Sequence, residues 1–315
     1  MQQMFLGEAI KKRRLELGLT QEQLCEGICE PITVSRLENG KQTPSRNRIN
    51  ALLERLDMPA DRYYALLSKH ELEVDALQRE ITSYNIQYRK ASLDEKPKVR
   101  ALALKAHKEL EDIIDSDDTL SRQLILRSRV LVGTDEGEYS SEERIRMLTE
   151  AIRMTVPKFD LNDIGRGLYT VDEIKIINQL AIVYSNVGKH IDAIGIFSQL
   201  HKYIQKHFQN IPLARARLSM VAYNYAKVLR LIGQYQNAIE IAKEGQQVCL
   251  DYGFYHSLPV LLAIQAECYH FLGNDEESRD FYNQAYYLMK VVGDNANLRL
   301  LVEKAKKEIG LSFEY

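Results

Sequence analysis

From residue 171 onward the chain repeats itself, and that repetition narrows the choice of fold more than any other feature. Asn178-Gln179-Leu180-Ala181-Ile182-Val183-Tyr184, then Gly188, Ala193 and Phe197, aligns with Asn224-Tyr225-Ala226, Leu229, Gly233, Ala238 and Ala242. It aligns again with Ala266, Tyr269, Gly273, Ser278 and Tyr282. Each copy reads as two helices: a small residue where they meet, an aromatic three further on (Leu229 in the second copy), a turn glycine, then a small and a large residue on the second helix. With no strand pattern anywhere, the expected class is all-α. Weaker pairs upstream bring the expected number to about five, closed by a terminal helix carrying Leu298, Leu301 and Ile309.

At 315 residues the chain exceeds one ordinary core, and three segments are expected: 1–67, 68–92 and 93–315. In the first, Ile10, Leu15 and Leu17 mark a helix that Gly18 ends. Ser45 is read as the cap of a helix carrying Ile49, Leu52, Leu53 and Leu56, and Pro59 as the start of a last one through Tyr63, Tyr64 and Leu67. Residues 69–91 read as one connecting helix in which Val74, Ile81 and Tyr88 stand seven apart, with Leu77 and Tyr84 between them. Such an a/d stripe suits a dimer seam, and equally a helix lying on the next domain. Lys96-Pro97 opens a further helix ending near Asp115, and Thr119 to Val132 with Ser141 to Val156 form a pair; Pro157 to Thr170 is a loop.

Composition sets bounds on function. Net charge is −2, but residues 1–69 carry eleven Lys and Arg against nine Asp and Glu, a small positive bias. Binding to nucleic acid then depends on where the basic groups sit. No apolar run approaches the roughly 18 residues of a membrane span, and the start lacks a signal-peptide core, so a cytoplasmic protein is expected. Cys25, Cys29, Cys249 and Cys268 lack metal spacing and read as reduced thiols. There is no glycine-rich phosphate loop, no paired His or Cys ligand set and no Ser-His-Asp grouping. His201 and His207 are read as surface residues on a second helix. No enzyme activity, metal or cofactor is expected.

The stretch Leu19 to Pro44, LTQEQLCEGICEPITVSRLENGKQTP, carries a compact set of helix signals. Thr20 is a good N-cap with Gln23 as its capping-box partner, and Leu24 and Ile28 share one face. Pro31 suits the first position of a second helix through Val34 and Leu37, which Asn39-Gly40 stops. Thr20 to Leu24, Ser35 to Lys41 and Pro44-Ser45, in that order, resemble the helix-turn-helix of Xre-like (Cro-type, lambda-repressor-like) domains, with a turn one residue shorter than in most members. The resemblance implies that Arg36 faces the major groove of double-stranded DNA, with Ile32 and Thr33 one turn earlier. It also implies that Gln21, Asn39 and Lys41 meet the phosphate backbone. It further implies an internal ion pair between Arg14 and Glu38.

The repeats resemble tetratricopeptide repeats. Their turn glycines stand 45 and 40 residues apart, against a period of about 34 in the simple repeat, so helices or loops are longer here. An Xre-like domain, a connecting helix and such a repeat superhelix resemble the Rap-NprR-PlcR-PrgX group of Gram-positive quorum-sensing regulators, nearest to the PlcR and NprR type. Tyr223-Asn224-Tyr225-Ala226-Lys227 resembles that group's Tyr-Asn-x-Ala-Lys segment, and Asn178 precedes its small residue as a groove asparagine does. The resemblance implies a cytoplasmic homodimeric transcriptional regulator that reads an inverted-repeat operator and is modulated by a short signalling peptide, without a membrane. Asn178, Tyr223, Asn224, Lys227, Arg230, Glu267 and His270 are its expected peptide-binding residues. Ala263 and Ile264 stand where a polar residue is expected. Two alternatives remain open: a Rap-like protein-interaction adaptor, and a repressor whose repeats serve only dimerisation.

Overall fold

The computed structural model describes residues 6–59, 69–133 and 137–313. These residues are helical with connecting turns, and none of them forms a strand. The expected helix through Tyr63, Tyr64 and Leu67 lies outside the described residues. The chain divides into two compact units, 1–180 and 181–315.

The first unit begins with α1 (Leu6–Glu16), α2 (Gln21–Cys25), α3 (Pro31–Glu38) and α4 (Arg46–Arg55). Thr20 and Gln23 form a reciprocal capping box at the start of α2, and Pro31 opens α3. Ser45 stands at the N-cap of α4 but makes no capping hydrogen bond. Ile10, Leu24, Ile28, Val34, Leu37, Ile49, Leu52, Leu53 and Leu56 form one buried core. Leu15 and Leu17, expected beside Ile10, are exposed instead. The inward face of α1 runs through Gly7, Ile10 and Arg14, and Gly7 is there because a Cβ would lie 1.9 Å from the Leu37 carbonyl oxygen. Backbone thus meets backbone where α1 crosses α3.

Next come α5 (Lys69–Lys90), α6 (Lys96–Ile113), α7 (Thr119–Val132) and α8 (Ser141–Thr155), and Thr170 then caps α9 (Val171–Asn186), within which the unit ends. Val74 and Ile81 on α5 are buried with Ala106 and Leu110 of α6 and Leu124 and Ile125 of α7. Tyr88 is buried with Ala103 and Val132. The a/d stripe is therefore the contact of the connecting helix with the helices that follow it, the second of the two readings the spacing allowed.

The second unit contains α10 (His190–His207), α11 (Pro212–Arg215), α12 (Arg217–Leu231), α13 (Tyr235–Tyr252), α14 (Leu258–Phe271), α15 (Asp275–Val292) and α16 (Asn295–Ile309). Its repeat markers fall where stacking needs them. Ala193, Ala226, Ala238, Ala266 and Ser278 are fully buried, so the paired helices approach closely. Gly188, Gly233 and Gly273 turn the chain with φ of 78°, 79° and 79°, a region closed to most side chains. The long interval between the first two markers comes from the extra turn α11 and the 18-residue second helix α10, and α13, also of 18 residues, lengthens the next. These are tetratricopeptide-like pairs with lengthened second helices.

Candidate functional sites

In the first unit, α3 presents an exposed face. Val34 and Leu37 point into the core, which leaves Ile32, 55% exposed, and the exposed Arg36 on the opposite side, with Thr33 half-buried beside them. Asn39 and Lys41 follow at its C-terminal end, both exposed. Arg36 makes only a long contact, 3.4 Å from its Nη1 to Gln42 Oε1, so its guanidinium is available to an outside acceptor. Asn39 Nδ2 donates to the Ser35 carbonyl, 2.7 Å away. Gln21, expected to meet the phosphate backbone, is half-buried, and its Nε2 donates to Glu38 Oε2 at 2.7 Å.

That face is held by a buried carboxylate. Arg14 Nε donates to Glu38 Oε1 at 2.6 Å and its Nη2 to Oε2 at 2.9 Å, while its Nη1 reaches the Leu19 carbonyl at 2.8 Å. The Glu38 side chain is 1% exposed. One bidentate pair thereby ties α1 to α3 and, through Gln21, to the start of α2. The hydrogen bond to Glu38 raises the Arg14 pKa above its ordinary value, against the cost of burial.

A second buried arginine secures the helix-turn-helix to the helices after it. Arg55, at the end of α4, donates through Nη1 to the carbonyls of Leu24 at 2.9 Å and Glu26 at 2.8 Å, and through Nη2 to that of Thr155 at 2.9 Å. Its Nη2 also lies 3.6 Å from Glu173 Oε1, with both side chains nearly excluded from solvent. The turn after α2 is pressed onto the same spot. Gly27 has φ +72°, and a Cβ there would lie 2.2 Å from the Thr155 carbonyl oxygen. Thr119 Oγ1 donates to the Gly27 carbonyl at 2.9 Å, and Val171 N donates to Glu54 Oε2 at 2.9 Å. Burial, then the neighbouring Asp172 and Glu173, push the Glu54 carboxyl up to about 7 against the pull of the Val171 N–H and Lys175. No sequence signal marked Arg55 or Glu54.

In the second unit a cavity of about 360 Å³ opens between α12, α14 and α16. Of the expected groove residues it gathers Tyr223, Lys227, Arg230 and Glu267. Glu267 is buried between two cations: Lys304 Nζ lies 2.5 Å from Oε1, and Arg230 Nε lies 2.9 Å from Oε2 but off the line of a hydrogen bond. Lys227 is exposed over much of its surface, yet its pKa is lowered, first by partial desolvation and then by Arg230 and Lys304. Ala263 and Ile264, where polar residues were expected, line the same cavity as its apolar wall.

The other candidates fall elsewhere. Asn224 is half-buried on α12, and its Nδ2 donates to the Met220 carbonyl at 3.1 Å. His270 is outside the cavity lining, turned to Asp275 with Nδ1 2.8 Å from Oδ1. Asn178 is buried on α9 in the first unit. Sequence reading missed Asn297, Leu300, Lys304 and Lys307, which α16 contributes; a charged amphipathic terminal helix reads as a lid on the core, not as a groove wall. His201 is not on the surface: it is 5% exposed, and burial, then Arg215 and Lys202, depress its pKa to about 4. Among the described residues no group of three or more His, Cys, Asp or Glu could hold a metal ion.

Residues 10–62 match the Helix-turn-helix family and residues 151–309 match the RNPP family C-terminal domain. PlcR of Bacillus thuringiensis, solved in complex with a peptide and DNA, is 21% identical with a TM-score of 0.57, covering 95% of this chain and 99% of that one. Its apo form is 20% identical with a TM-score of 0.58, covering 95% and 98%. The competence regulator ComR from Streptococcus vestibularis, in complex with its cognate signaling peptide, is 18% identical with a TM-score of 0.52, covering 98% and 99%. At such identities the likeness speaks for the fold. Among curated proteins none matches this sequence. With its C-terminal half matched over α8 to α16 and a helix-turn-helix at its head, the chain belongs to the RNPP family.

Proposed function

We propose that this chain is a sequence-specific DNA-binding transcriptional regulator whose repeats bind a short signalling peptide that modulates DNA binding. The observation that carries the reading is the exposed face of α3, with Arg36 held only by a long contact to Gln42 and the helix beneath it locked by the buried Arg14–Glu38 pair. A guanidinium held this way can offer two donors to guanine O6 and N7. Ile32 and Thr33 stand beside it for apolar and methyl contacts; Gln21, Asn39 and Lys41 take phosphates. Solved proteins of this fold were crystallised with a peptide and DNA, or with a signaling peptide, which supports both partners here.

The regulator acts as a homodimer in the cytoplasm on an inverted-repeat operator, with residues 1–67 as reader, 68–92 as connecting helix and 93–315 as peptide-binding and dimerising repeats. Asn178, Tyr223, Asn224, Lys227, Arg230, Glu267 and His270 remain its candidate peptide contacts. No helix among the described residues is long and apolar enough to cross a membrane. No reaction is assigned to it.

Selection from a randomised duplex pool tests the DNA reading. The full-length protein is expected to enrich an inverted repeat, and Arg36→Ala to lose about 1 to 3 kcal/mol at one base pair of each half-site. Retention of all sequences alike by the unaltered protein would remove the claim of specificity.

A further inference from the structure

We infer that the cavity between α12, α14 and α16 is a pocket for a peptide's C-terminal residue, its free carboxylate meeting Lys227 and Lys307 and its apolar side chain lying on Val260, Ile264 and Leu300. The inference rests on the peptide reading above and adds to it the ligand's chemistry and direction.

Charge makes the first half of the argument. The cavity lining holds four cations, Lys227, Arg230, Lys304 and Lys307, against the carboxylates of Glu267 and Glu303. Glu267 is already shared by Arg230 and Lys304. Among the described residues, neither Lys227 nor Lys307 has a carboxylate at ion-pair distance. An anion placed against Lys227 offsets the partial desolvation and the repulsion from Arg230 and Lys304 that together lower its pKa.

The apolar wall makes the second half. Leu300 is 61% exposed although it lines the cavity, and Val260, Ala263 and Ile264 face the same space. An Asp or Glu side chain brings a carboxylate without an apolar group, and an internal Leu or Phe brings the apolar group without charge. Only a chain-terminal apolar residue carries both on one Cα. The peptide then ends at α16, with its earlier residues extending along α12 and α14.

Two pools of short peptides, randomised except for a final Leu, are made with a free C-terminus and with a C-terminal amide. Retention on the full-length protein identifies the best sequence, which is remade as acid, as amide, and as acid with any internal Asp or Glu changed to Asn or Gln. The acid is expected to bind the unaltered protein on the order of tenfold more tightly than the amide. Lys227→Gln should bring that ratio close to one. Lys307→Gln, on an exposed position, should lower the ratio too and serves if Lys227→Gln misfolds. Equal affinity of acid and amide overturns the pocket and leaves peptide binding standing. Sensitivity to the internal substitutions without sensitivity to amidation assigns the carboxylate to a side chain and also overturns it. Retention of neither pool removes the peptide reading, and the pocket with it.

Discussion

At the scale of single residues, buried charges carry the most testable consequences. Glu38 accepts from Arg14 and from Gln21 inside the helix-turn-helix. Arg14→Met leaves that carboxylate buried without its cation, a change that costs about 3 to 5 kcal/mol in comparable sites. Urea denaturation should show the helix-turn-helix losing structure first, and DNA binding should fall with it; an unchanged profile would mean the pair contributes nothing. Glu54 makes a prediction in pH. Its folded pKa, about 7, is above the ordinary 4.5, so the folded state holds the proton more tightly than the unfolded one. The associated stability is present below about 4.5 and is lost as pH rises through about 7. The melting temperature of Glu54→Gln should therefore fall less over that window than that of the unaltered protein, and parallel curves would contradict a raised Glu54. The capping box at Thr20 and Gln23 was legible because its partners are three residues apart. Arg55 was not, because its acceptors lie 29 to 100 residues away and nothing local distinguishes it from a solvated helix-end arginine.

At the scale of elements, the connecting helix shows what a periodic pattern can and cannot say. Spacing placed Val74, Ile81 and Tyr88 on one face of α5, and packing shows that α6 and α7 cover that face. Buried polar groups set its register. Ser128 Oγ donates to Asn85 Oδ1 at 2.7 Å, so it accepts from His107 Nε2, also at 2.7 Å, and the imidazole is neutral with its proton on Nε2. Burial, then Arg129, holds the His107 pKa down to about 4, so this link stays neutral through the physiological range. Ile81→Ala should cost about 2 to 5 kcal/mol as a core truncation. It should do so without changing the oligomeric state in analytical ultracentrifugation; dissociation of a dimer at full folding stability would return the stripe to the role of a seam.

At the scale of the whole molecule, a regulator with two ligands must obey linkage. If peptide changes affinity for selected DNA, that DNA must change affinity for peptide by the same factor, typically about 5 to 150-fold. Titrating the best-retained peptide against free protein and against the protein–DNA complex, at one salt concentration, should give affinities that differ by that factor; equal values would separate the two activities. The all-helical class, the helix-turn-helix and the repeat were legible from residue order, because capping, turn glycines and small-residue positions are short-range demands that neighbouring residues must meet. Which carboxylates are buried, what covers the α5 stripe, and that α16 walls a cavity emerge only on folding. Those outcomes depend on contacts between residues far apart in the chain, where the same arginine, lysine or leucine is a surface group or a structural one according to what folds against it.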